Sequence, residues 1–319
     1  MTLATRVLVT GGAGFIGSNL ADELIRQGAK VRIVDNFITG FRQNLEEIQG
    51  DFDFTEADVA DEVAMRKAVD GVEIVFHQAA LPSVPRSVAN PAETHNACVN
   101  GTFNLLTAAR DAGVRRLVYA ASSSAYGDQQ TLPKVETMAP EPLSPYAAAK
   151  LTGELYCRVF SQVYGLETLS LRYFNVFGPR QNPSSQYSGV ISRFIDAFMK
   201  GGSPVIYGDG NQSRDFTYIA NVVDANIKAA LATRGIGEVM NVANGERVSL
   251  LELVDVMKRV TGRTDVEIDF QPERKGDVKH SQADNSKAKE WLGYEKLVGL
   301  EEGIERTIDW WRSSRFAAD

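Results

Sequence analysis

A strand-to-helix junction near the N-terminus constrains the fold more than any other part of the sequence. Arg6–Thr10 reads Arg-Val-Leu-Val-Thr, the composition of a buried strand, and it runs directly into Gly-Gly-Ala-Gly-Phe-Ile-Gly. Gly11, Gly14 and Gly17 have the spacing G-x-x-G-x-x-G, and the apolar residues that follow recur at helical spacing. Glycines let the backbone approach a ligand closely, and a helix N-terminus attracts phosphate. The junction therefore predicts a phosphate-binding turn between a strand and a helix of an α/β fold.

A carboxylate follows the second predicted strand, Val31–Val34. Asp35 lies 18 residues beyond Gly17, close to the spacing at which an acidic residue binds the adenosine ribose of a dinucleotide. A carboxylate there accepts the ribose 2′-hydroxyl and repels a 2′-phosphate, which favours NAD over NADP. Arg42 is a nearby cation that would soften this preference, and a solvated strand-end aspartate is the alternative interpretation.

Further predicted strands alternate with amphipathic helices, as in a parallel sheet. Two of these strands end in residues suited to a ligand crevice. Val72–Phe76 is followed by His77-Gln78-Ala79-Ala80, and Arg116–Ala120 is followed by Ala121 and the serine cluster Ser122-Ser123-Ser124. His77 has no metal partner in the sequence, so we expect a hydrogen-bonded structural histidine. The other strands are predicted over 53–56 and 167–173, and the helices over 61–69, 96–110, 145–164, 190–200 and 300–311.

The stretch Ser144-Pro145-Tyr146-Ala-Ala-Ala-Lys150 predicts a helix that carries catalytic groups. Serine is a good N-cap, and proline suits the first helical turn. Tyr146 and Lys150 are four residues apart, so they share one helical face. Because an ammonium favours the ionised form of a neighbouring phenol, the pair predicts a general base for a substrate hydroxyl. Ser122 is expected at the same crevice, so the predicted catalytic residues are Ser122, Tyr146 and Lys150. The alternative interpretation is a solvated Tyr and Lys on a surface helix.

The composition limits the class of protein. The 319 residues are enough for two lobes, and the hydrophobic content of 44% is ordinary for a globular chain. A net charge of −7 argues against a nucleic-acid-binding surface. Cys98 and Cys157 have no metal-ligand spacing and suggest no disulfide framework, so we expect two small core residues and no metal site. The sequence shows no secretory leader and no membrane-spanning stretch, and the cytoplasm is the default expectation.

A change in amino-acid composition marks the predicted boundary between the lobes. Residues 178–189 are rich in Gly, Pro, Ser, Asn and Gln, which predicts a loop. We expect residues 1–175 to form the cofactor-binding domain, with 218–243 returning to it, and residues 176–319 to form the substrate domain. Arg214 and Arg274 are isolated loop arginines that suit diphosphate recognition, solvated arginines being the alternative.

Together these motifs resemble the extended short-chain dehydrogenase/reductase family, and within it the nucleotide-sugar 4-epimerases. The resemblance runs almost end to end. The residues that carry it are 11–17, Asp35-Asn36, Ser122 with Tyr126-Gly127, Tyr146 with Lys150, 171–175 (Leu-Arg-Tyr-Phe-Asn), 208–210 (Gly-Asp-Gly) and 213–216 (Ser-Arg-Asp-Phe). Residues 80–87, Ala-Leu-Pro-Ser-Val-Pro-Arg-Ser, and residues 213–216 are most similar to UDP-N-acetylglucosamine 4-epimerases.

The resemblance implies a Rossmann-type doubly wound parallel sheet that holds NAD and a smaller C-terminal α/β domain that holds a UDP-sugar. Tyr146 would take the proton from the sugar 4-hydroxyl, helped by Lys150 and Ser122, and the C4 hydride would pass to NAD and return to the opposite face of a 4-keto sugar. The implied cofactor-binding residues are Gly11, Gly14, Phe15, Ile16, Gly17, Asp35, Asn36, Phe37, Thr39, Gly40, Asp58, Val59, Gln78, Ala79, Ala80, Pro82, Tyr146, Lys150 and Tyr173. The implied substrate-binding residues are Ser83, Ser122, Ser123, Ser124, Tyr146, Asn175, Val190, Val205, Tyr207, Arg214, Arg274, Asp277 and Ser281.

Two serines separate the subfamilies within this resemblance. Sugar 4,6-dehydratases and UDP-glucuronate decarboxylases carry a Glu at the position of Ser124, so the hydroxyl here disfavours elimination and decarboxylation. The position of Ser281 is bulky in relatives restricted to UDP-glucose, and a serine leaves room for an acetamido group. One departure from the family is Cys98, where many relatives have Asn.

The favoured interpretation is C4 epimerisation of UDP-glucose/UDP-galactose and of their N-acetylated counterparts. One alternative is a UDP-glucuronate 4-epimerase, for which Arg86 is the only obvious cation for the substrate carboxylate. Another is a catalytically silent NAD(H)-binding sensor, although such proteins usually lose the Tyr or the Lys. The resemblance also implies a homodimer formed through the helices near 96–110 and 147–164.

Overall fold

A computed structural model describes residues 4–182, 189–273 and 279–314, and its largest element is a seven-stranded parallel sheet. The strands of this sheet are β1 (Arg6–Thr10), β2 (Lys30–Asp35), β3 (Phe52–Glu56), β4 (Ile74–His77), β5 (Arg116–Ser122), β6 (Glu167–Tyr173) and β11 (Glu238–Val242). Their order is β11-β6-β5-β4-β1-β2-β3. The order reverses between β1 and β4, and such a switch point opens a ligand crevice at the carboxyl ends of the strands. The predicted doubly wound α/β class is confirmed.

Helices cover both faces of the sheet. The apolar side chains of β1 point alternately to the two faces and so contribute to two hydrophobic cores. Val7 and Val9 belong to a core that also contains residues of α1 (Phe15–Arg26) and α9 (Ile219–Leu231). Leu8 belongs to the core on the other face. The helices of that second face are α3 (Glu62–Ala68), α6 (Gly101–Asp111) and α7 (Pro145–Tyr164). The predicted strands are confirmed, with ends that move by at most two residues.

Local sequence signals define α7 at both ends. The Ser144 hydroxyl accepts a hydrogen bond from the Ala147 N–H, Pro145 occupies the first turn, and Gly165 ends the helix with φ +73°. A serine N-cap and a left-handed glycine after the last turn are the usual boundaries of a stable helix. The predicted helix over 145–164 is confirmed.

The helix predicted over 96–110 differs from the structure. The chain is already helical from Pro91, in α5 (Pro91–His95), and a π-helical turn at Asn96–Asn100 joins α5 to α6. The predicted start at Asn96 is therefore wrong. A π-turn takes up one extra residue per turn, and the apolar spacing of this segment gave no sign of it.

Short strand pairs and further helices follow β6. The strands are β7 (Val176–Phe177), β8 (Val205–Tyr207), β9 (Ser213–Arg214), β10 (Thr217–Tyr218), β12 (Val248–Ser249) and β13 (Asp269–Gln271), and the helices are α8 (Val190–Met199), α10 (Leu250–Thr261), α11 (Ser286–Leu292) and α12 (Leu300–Ser313). Short helices α2 (Arg42–Glu46) and α4 (Val84–Ala89) complete the chain. The segment 218–243 contains α9 and β11, and β11 pairs with β6 at the edge of the large sheet. Within the described residues, every helix is too short or too polar to cross a bilayer.

Candidate active site

The glycine turn between β1 and α1 is closely packed. Gly11 has φ +70°, and a Cβ added to it would lie 2.7 Å from the Cα of Ala79 after β4. A Cβ on Gly17 would lie 2.1 Å from the Gly11 carbonyl oxygen. Only glycine fits at these two positions. Gly14, which carries no side chain, is the N-cap of α1, and helix starts of this kind bind phosphate through their first-turn N–H groups.

A cleft of about 680 Å³ lies at the carboxyl ends of the sheet strands. This volume is in the usual range for a small-molecule site. The predicted cofactor residues that line it are Gly11, Gly14, Phe15, Ile16, Gly17, Asp35, Asn36, Thr39, Asp58, Val59, Gln78, Ala79, Ala80, Pro82, Tyr146, Lys150 and Tyr173. Phe37 and Gly40 are not among the described residues that line the cleft. Both lie next to Asp35: the Phe37 N–H donates to its Oδ1 at 2.8 Å, and a Cβ added to Gly40 would lie 2.9 Å from the same oxygen.

Asp35 is held in the cleft wall by backbone hydrogen bonds. Its Oδ2 accepts from the Ala13 N–H at 2.9 Å, and its Oδ1 accepts from the Phe37 N–H at 2.8 Å. Burial raises the pKa of this carboxyl, and the backbone hydrogen bonds act in the opposite direction. Arg42 pairs with Glu56 at 2.7 Å, which compensates part of the cationic charge expected to soften the NAD preference. The tight turn, the fixed carboxylate and the cleft volume together fit NAD.

The structure brings Ser122, Tyr146 and Lys150 to the same cleft. Ser122 is the last residue of β5, and Tyr146 and Lys150 lie in the first turns of α7. The Ser122 Oγ accepts from the Ser124 hydroxyl at 2.8 Å and from the Ser124 N–H at 3.2 Å. The Ser122 hydroxyl also lies close enough to the Tyr146 phenol to lower its pKa. A hydroxyl, a phenol and an ammonium therefore converge at one end of the cleft.

Burial dominates the electrostatics of these groups. It raises the pKa of the Tyr146 phenol above its usual value, while the nearby Ser122 hydroxyl acts to lower this pKa. Burial also lowers the pKa of Lys150, whose Nζ lies 4.4 Å from the centre of the Tyr119 ring. The four-residue spacing to Lys150 does not by itself bring the phenol toward neutrality, contrary to our expectation from the sequence. Further positive charge in the cleft is needed to favour the phenolate.

A chain of buried hydrogen bonds joins β1, β4, α6 and the π-helical turn. Thr102 donates to the Cys98 carbonyl in the π-helical turn at 2.7 Å, so it accepts from Nε2 of His77 at 2.9 Å. Nδ1 of His77 then accepts from the Thr10 hydroxyl at 2.7 Å. Burial lowers the His77 pKa to about 3, with a smaller contribution from the charge of Lys150. His77 is thus a neutral structural histidine, as predicted, and Cys98 and Cys157 are buried free thiols, also as predicted.

The predicted substrate residues divide into two groups. Those that line the cleft are Ser83, Ser122, Ser123, Tyr146 and Asn175. Those that are not among its described lining residues are Ser124, Val190, Val205, Tyr207, Arg214 and Ser281. Ser281 is nevertheless adjacent, because its Oγ lies 3.3 Å from the Asn175 Nδ2. Arg274 and Asp277 lie outside the described residues.

Arg214 and the strand β8 lie in the short strand pairs outside the large sheet. The Arg214 Nη1 donates to the carbonyls of Ser213 at 3.0 Å and Lys279 at 3.1 Å. Val205 and Tyr207 lie on β8, which pairs in parallel with β13. Their assignment to the diphosphate and the uracil stays a prediction.

Several lining residues were missed by the sequence reasoning: Ile38, Phe41, Leu81, Ala97, Val176, Gln181, Asn182 and Gly189. Half of them lie inside a recognised motif or within five residues of one, and Ala97 lies in the π-helical turn. Their side chains are mostly apolar or neutral, so no chemical pattern singles them out. Proximity to the motifs of 35–36 and 171–175 was the only available signal.

Arg86 also lines the cleft, but its charge is shared. Its Nε donates to Glu93 at 3.1 Å, and its Nη2 contacts the other oxygen of the same carboxylate. This bidentate pair lowers the pKa of Glu93 and partly neutralises the guanidinium. A second anion would have to compete with Glu93 for Arg86.

Comparisons with known proteins give this site a context. A profile of the NAD dependent epimerase/dehydratase family matches residues 7–243. The solved UDP-glucose 4-epimerase of Thermotoga maritima, with UDP-glucose, is 39% identical, has a TM-score of 0.92, and aligns over 97% of this chain and 99% of that one.

Two further solved structures have different sugar nucleotides. The UDP-N-acetylglucosamine 4-epimerase of Methanobrevibacter ruminantium, in complex with UDP-N-acetylmuramic acid, is 38% identical with a TM-score of 0.92, over 97% of this chain and 98% of that one. The UDP-glucuronic acid 4-epimerase of Bacillus cereus, with UDP-glucuronic acid and NAD, is 31% identical with a TM-score of 0.89, over 97% and 99%.

Proposed function

Because the chain belongs to the NAD dependent epimerase/dehydratase family, we propose that it inverts C4 of a UDP-hexose, with NAD as its cofactor. The observation that carries the proposal is the convergence of Ser122, Tyr146 and Lys150 in the cleft that also contains the glycine turn and Asp35. A phenol and a dinucleotide site in one cleft suit reversible oxidation of a secondary alcohol. The enzyme is therefore an isomerase that regenerates its cofactor in each cycle.

The residues of this chain divide the work of such a reaction. When bound, NAD supplies a hydride acceptor and a positively charged ring. Tyr146 takes the proton from the sugar 4-hydroxyl and later returns it, acting as a general base and then a general acid. The Ser122 hydroxyl, which lines the same cleft, is placed to orient the phenol. Lys150, buried and four residues farther along the same helix, adds cationic charge that stabilises the phenolate.

The hydroxyls at the end of β5 favour epimerisation over related reactions. Ser123 lines the cleft and Ser124 donates to Ser122 at 2.8 Å. A hydroxyl cannot serve as the carboxylate general base that elimination or decarboxylation would use at position 124. The 4-keto sugar would then keep its substituents while it turns in the cleft.

The sugar side of the site favours neutral hexoses of either size. Ser281 is small and half-buried next to Asn175, which leaves room for an acetamido group. We infer that UDP-glucose/UDP-galactose and UDP-N-acetylglucosamine/UDP-N-acetylgalactosamine are both substrates. The relatives that act on UDP-glucose and UDP-N-acetylglucosamine are similar to this chain to nearly the same degree.

UDP-glucuronate is the second candidate substrate. The similarity to the Bacillus cereus enzyme favours it, and Arg86 supplies a cation in the cleft. The bidentate pair with Glu93 counts against it, because a substrate carboxylate would need that guanidinium. UDP-glucuronate should therefore react more slowly than the neutral sugars.

The experiment is to incubate the purified protein, without added cofactor, with UDP-glucose, UDP-N-acetylglucosamine and UDP-glucuronate separately. The C4 epimers are then resolved by chromatography. Interconversion of both neutral sugars supports the proposal and a tightly bound NAD. Faster turnover of UDP-glucuronate than of either neutral sugar would transfer the assignment to the second candidate. Absence of all three reactions, also after NAD is added, would point to a silent NAD(H) sensor.

We further propose that the enzyme is a cytoplasmic homodimer. Cys98 and Cys157 are both free, which suits a reducing compartment. Leu155, Val159 and Val163 are exposed at four-residue intervals along α7 and so form one apolar stripe. Apolar stripes of this kind are usually covered by a partner, and a second copy of the same stripe would cover it.

The mass of the particle in solution tests the dimer. We expect the wild type to have the mass of two chains by light scattering and Val159→Glu to have the mass of one. Val63→Glu places a charge on an exposed valine of α3 and serves as the matched control. A monomeric wild type, or a dimer that survives Val159→Glu, would contradict the proposed interface.

A further inference from the structure

Asp215 is a fully buried carboxylate on the sugar side of the molecule. It accepts three backbone hydrogen bonds: from the N–H of Asn244 at 3.0 Å, of Gly245 at 3.0 Å and of Ala283 at 3.1 Å. The loop after β11 and the segment before α11 are thus joined on one side chain. Because each lost bond would leave a buried polar group unpaired, the carboxylate is a fixed anchor.

One of these hydrogen bonds takes the place of a main-chain hydrogen bond between two parallel segments. The segments around Ser213 and Ser281 pair in parallel, since Ser213 N–H donates to Lys279 at 2.9 Å and Ser281 N–H donates to Ser213 at 3.0 Å. The next rung would run from the Ala283 N–H to the main-chain carbonyl of Asp215. Here that N–H donates to the Asp215 carboxylate instead. The main-chain carbonyl of Asp215 is therefore open to another donor.

That donor is Asn175. Its Nδ2 donates to the Asp215 carbonyl at 2.9 Å and lies 3.3 Å from the Ser281 Oγ. Asn175 has φ +35°, a left-handed conformation that its surroundings must stabilise. It also lines the cleft together with Tyr146. Asp215 thus holds the segment that carries Ser281 through the Ala283 N–H, and it holds Asn175 through its own main-chain carbonyl.

We propose that Asp215 is the positioning residue of the sugar pocket. Its carboxylate accepts the Ala283 N–H in place of its main-chain carbonyl, so that this carbonyl is left to hold the Asn175 side chain against Ser281. This rests on the proposed function, in which Asn175 and Ser281 face the hexose of a UDP-sugar. Discrimination between a hydroxyl and an acetamido group at the sugar then depends on a buried residue behind both of them.

An amide cannot reproduce this arrangement. The amide of an Asn at this position has one acceptor oxygen, and its NH₂ group would face a backbone N–H. In Asp215→Asn the Ala283 N–H would return to the main-chain carbonyl and compete with the Asn175 side chain. Asn175 would then lose its support while the NAD half of the cleft keeps its own contacts.

The test measures the dissociation constants (Kd) and kcat/KM of the holoenzyme for UDP-glucose and UDP-N-acetylglucosamine in wild type and Asp215→Asn. Because a displacement of about 1 Å can cost up to about 100-fold in rate, we expect kcat/KM to fall about 10- to 100-fold. The ratio of the two Kd values should shift as well, and the NAD content should stay constant. Thr168→Val is the matched control. It removes another buried side-chain hydrogen bond, which Thr168 donates to the Cys157 carbonyl at 2.7 Å, and it should lower stability without changing the ratio.

Asn175→Gly is a second variant that keeps the left-handed backbone accessible and removes the amide. It should change the Kd ratio in the same direction, and in the double variant the two losses should not add, because both break one connection. Additive losses, or an unchanged Kd ratio in Asp215→Asn, would overturn the inference. If Asp215→Asn does not fold, an unchanged ratio in Asn175→Gly overturns it. Absence of turnover in the wild type would instead overturn the proposed function, since the Kd ratio reports on the pocket without turnover.

Discussion

A buried ion pair joins Arg172 of β6 to Glu154 of α7. The Arg172 Nε donates to one oxygen of the carboxylate at 2.9 Å, and Nη2 donates to the other at 2.8 Å. Both side chains are almost fully buried. The guanidinium also lies 4.5 Å from the centre of the Tyr126 ring. The pair therefore ties the helix that carries Tyr146 and Lys150 to the strand that leads to Asn175.

We expect Glu154→Leu to lower the free energy of unfolding by about 3–5 kcal/mol, because it leaves the Arg172 charge buried and unpaired. Adding Arg172→Leu should restore part of the loss, since no buried charge then remains. The shift of the urea midpoint measures both effects. Glu62→Leu, which breaks an exposed pair with Arg66 on α3, is the control and should cost no more than about 1 kcal/mol. A loss from Glu154→Leu as small as that of the control would contradict a structural role for the pair.

Tyr146→Phe should lower kcat by about 10²- to 10⁴-fold, the usual contribution of a general acid–base group. Folding and NAD content should be unchanged, because the ring stays in place. Tyr156→Phe removes a phenol from the same helix, outside the residues that line the cleft, and should keep wild-type kcat. Rates are measured by separating the C4 epimers. Wild-type turnover in Tyr146→Phe would mean that another group takes the proton.

His77 should make the protein sensitive to acid. Its pKa is about 3 in the folded state, where burial keeps the ring neutral, and near 6.5 when unfolded. Between these values the unfolded chain binds a proton that the folded chain does not. The stability contributed by neutral His77 is thus complete above pH ~6.5 and is lost as the pH falls, by about 1.4 kcal/mol per pH unit.

The measurement is the unfolding free energy of wild type minus that of His77→Gln from pH 7 to pH 4. Taking the difference removes the contribution of Asp215. Burial raises the pKa of Asp215 to about 7, so its effect on the pH dependence of stability has the opposite sign. His95→Gln, on an exposed histidine, is the control for the substitution itself. A flat difference for His77→Gln would show that the ring is protonated in the folded state or exposed by local opening.

The sequence predicted the framework of this enzyme because its signals are local. The strand before Gly11 and the cap at Ser144 each follow from a few adjacent residues, and the structure agrees with both. The convergence of Ser122 with Tyr146 followed from the rule that ligands bind at the carboxyl ends of parallel strands.

What could not be predicted depends on tertiary contacts. The pKa of Tyr146 is governed by burial, which no spacing encodes. The π-helical turn at Asn96–Asn100 inserts a residue without changing the apolar character of the segment. The bonds of Asp215 to Asn244 and Ala283 join positions that are far apart in the chain. In the sequence, Asp215 was visible only as part of the family motif at 213–216. The role proposed for it depends on the strand pairing between the segments around Ser213 and Ser281.

The size of residue 281 should decide which sugars are accepted. Ser281→Tyr would fill the space beside Asn175, so we expect UDP-N-acetylglucosamine turnover to fall by at least about 10-fold while UDP-glucose turnover changes little. A steric exclusion of this kind discriminates by penalising the larger ligand rather than by improving contacts with the smaller one. Ser281→Ala keeps the space and removes only the hydroxyl near Asn175, and it should retain both activities. If Ser281→Tyr slowed both sugars equally, the residue would act on the shared part of the substrate, and the acetamido group would have to be accommodated elsewhere in the cleft.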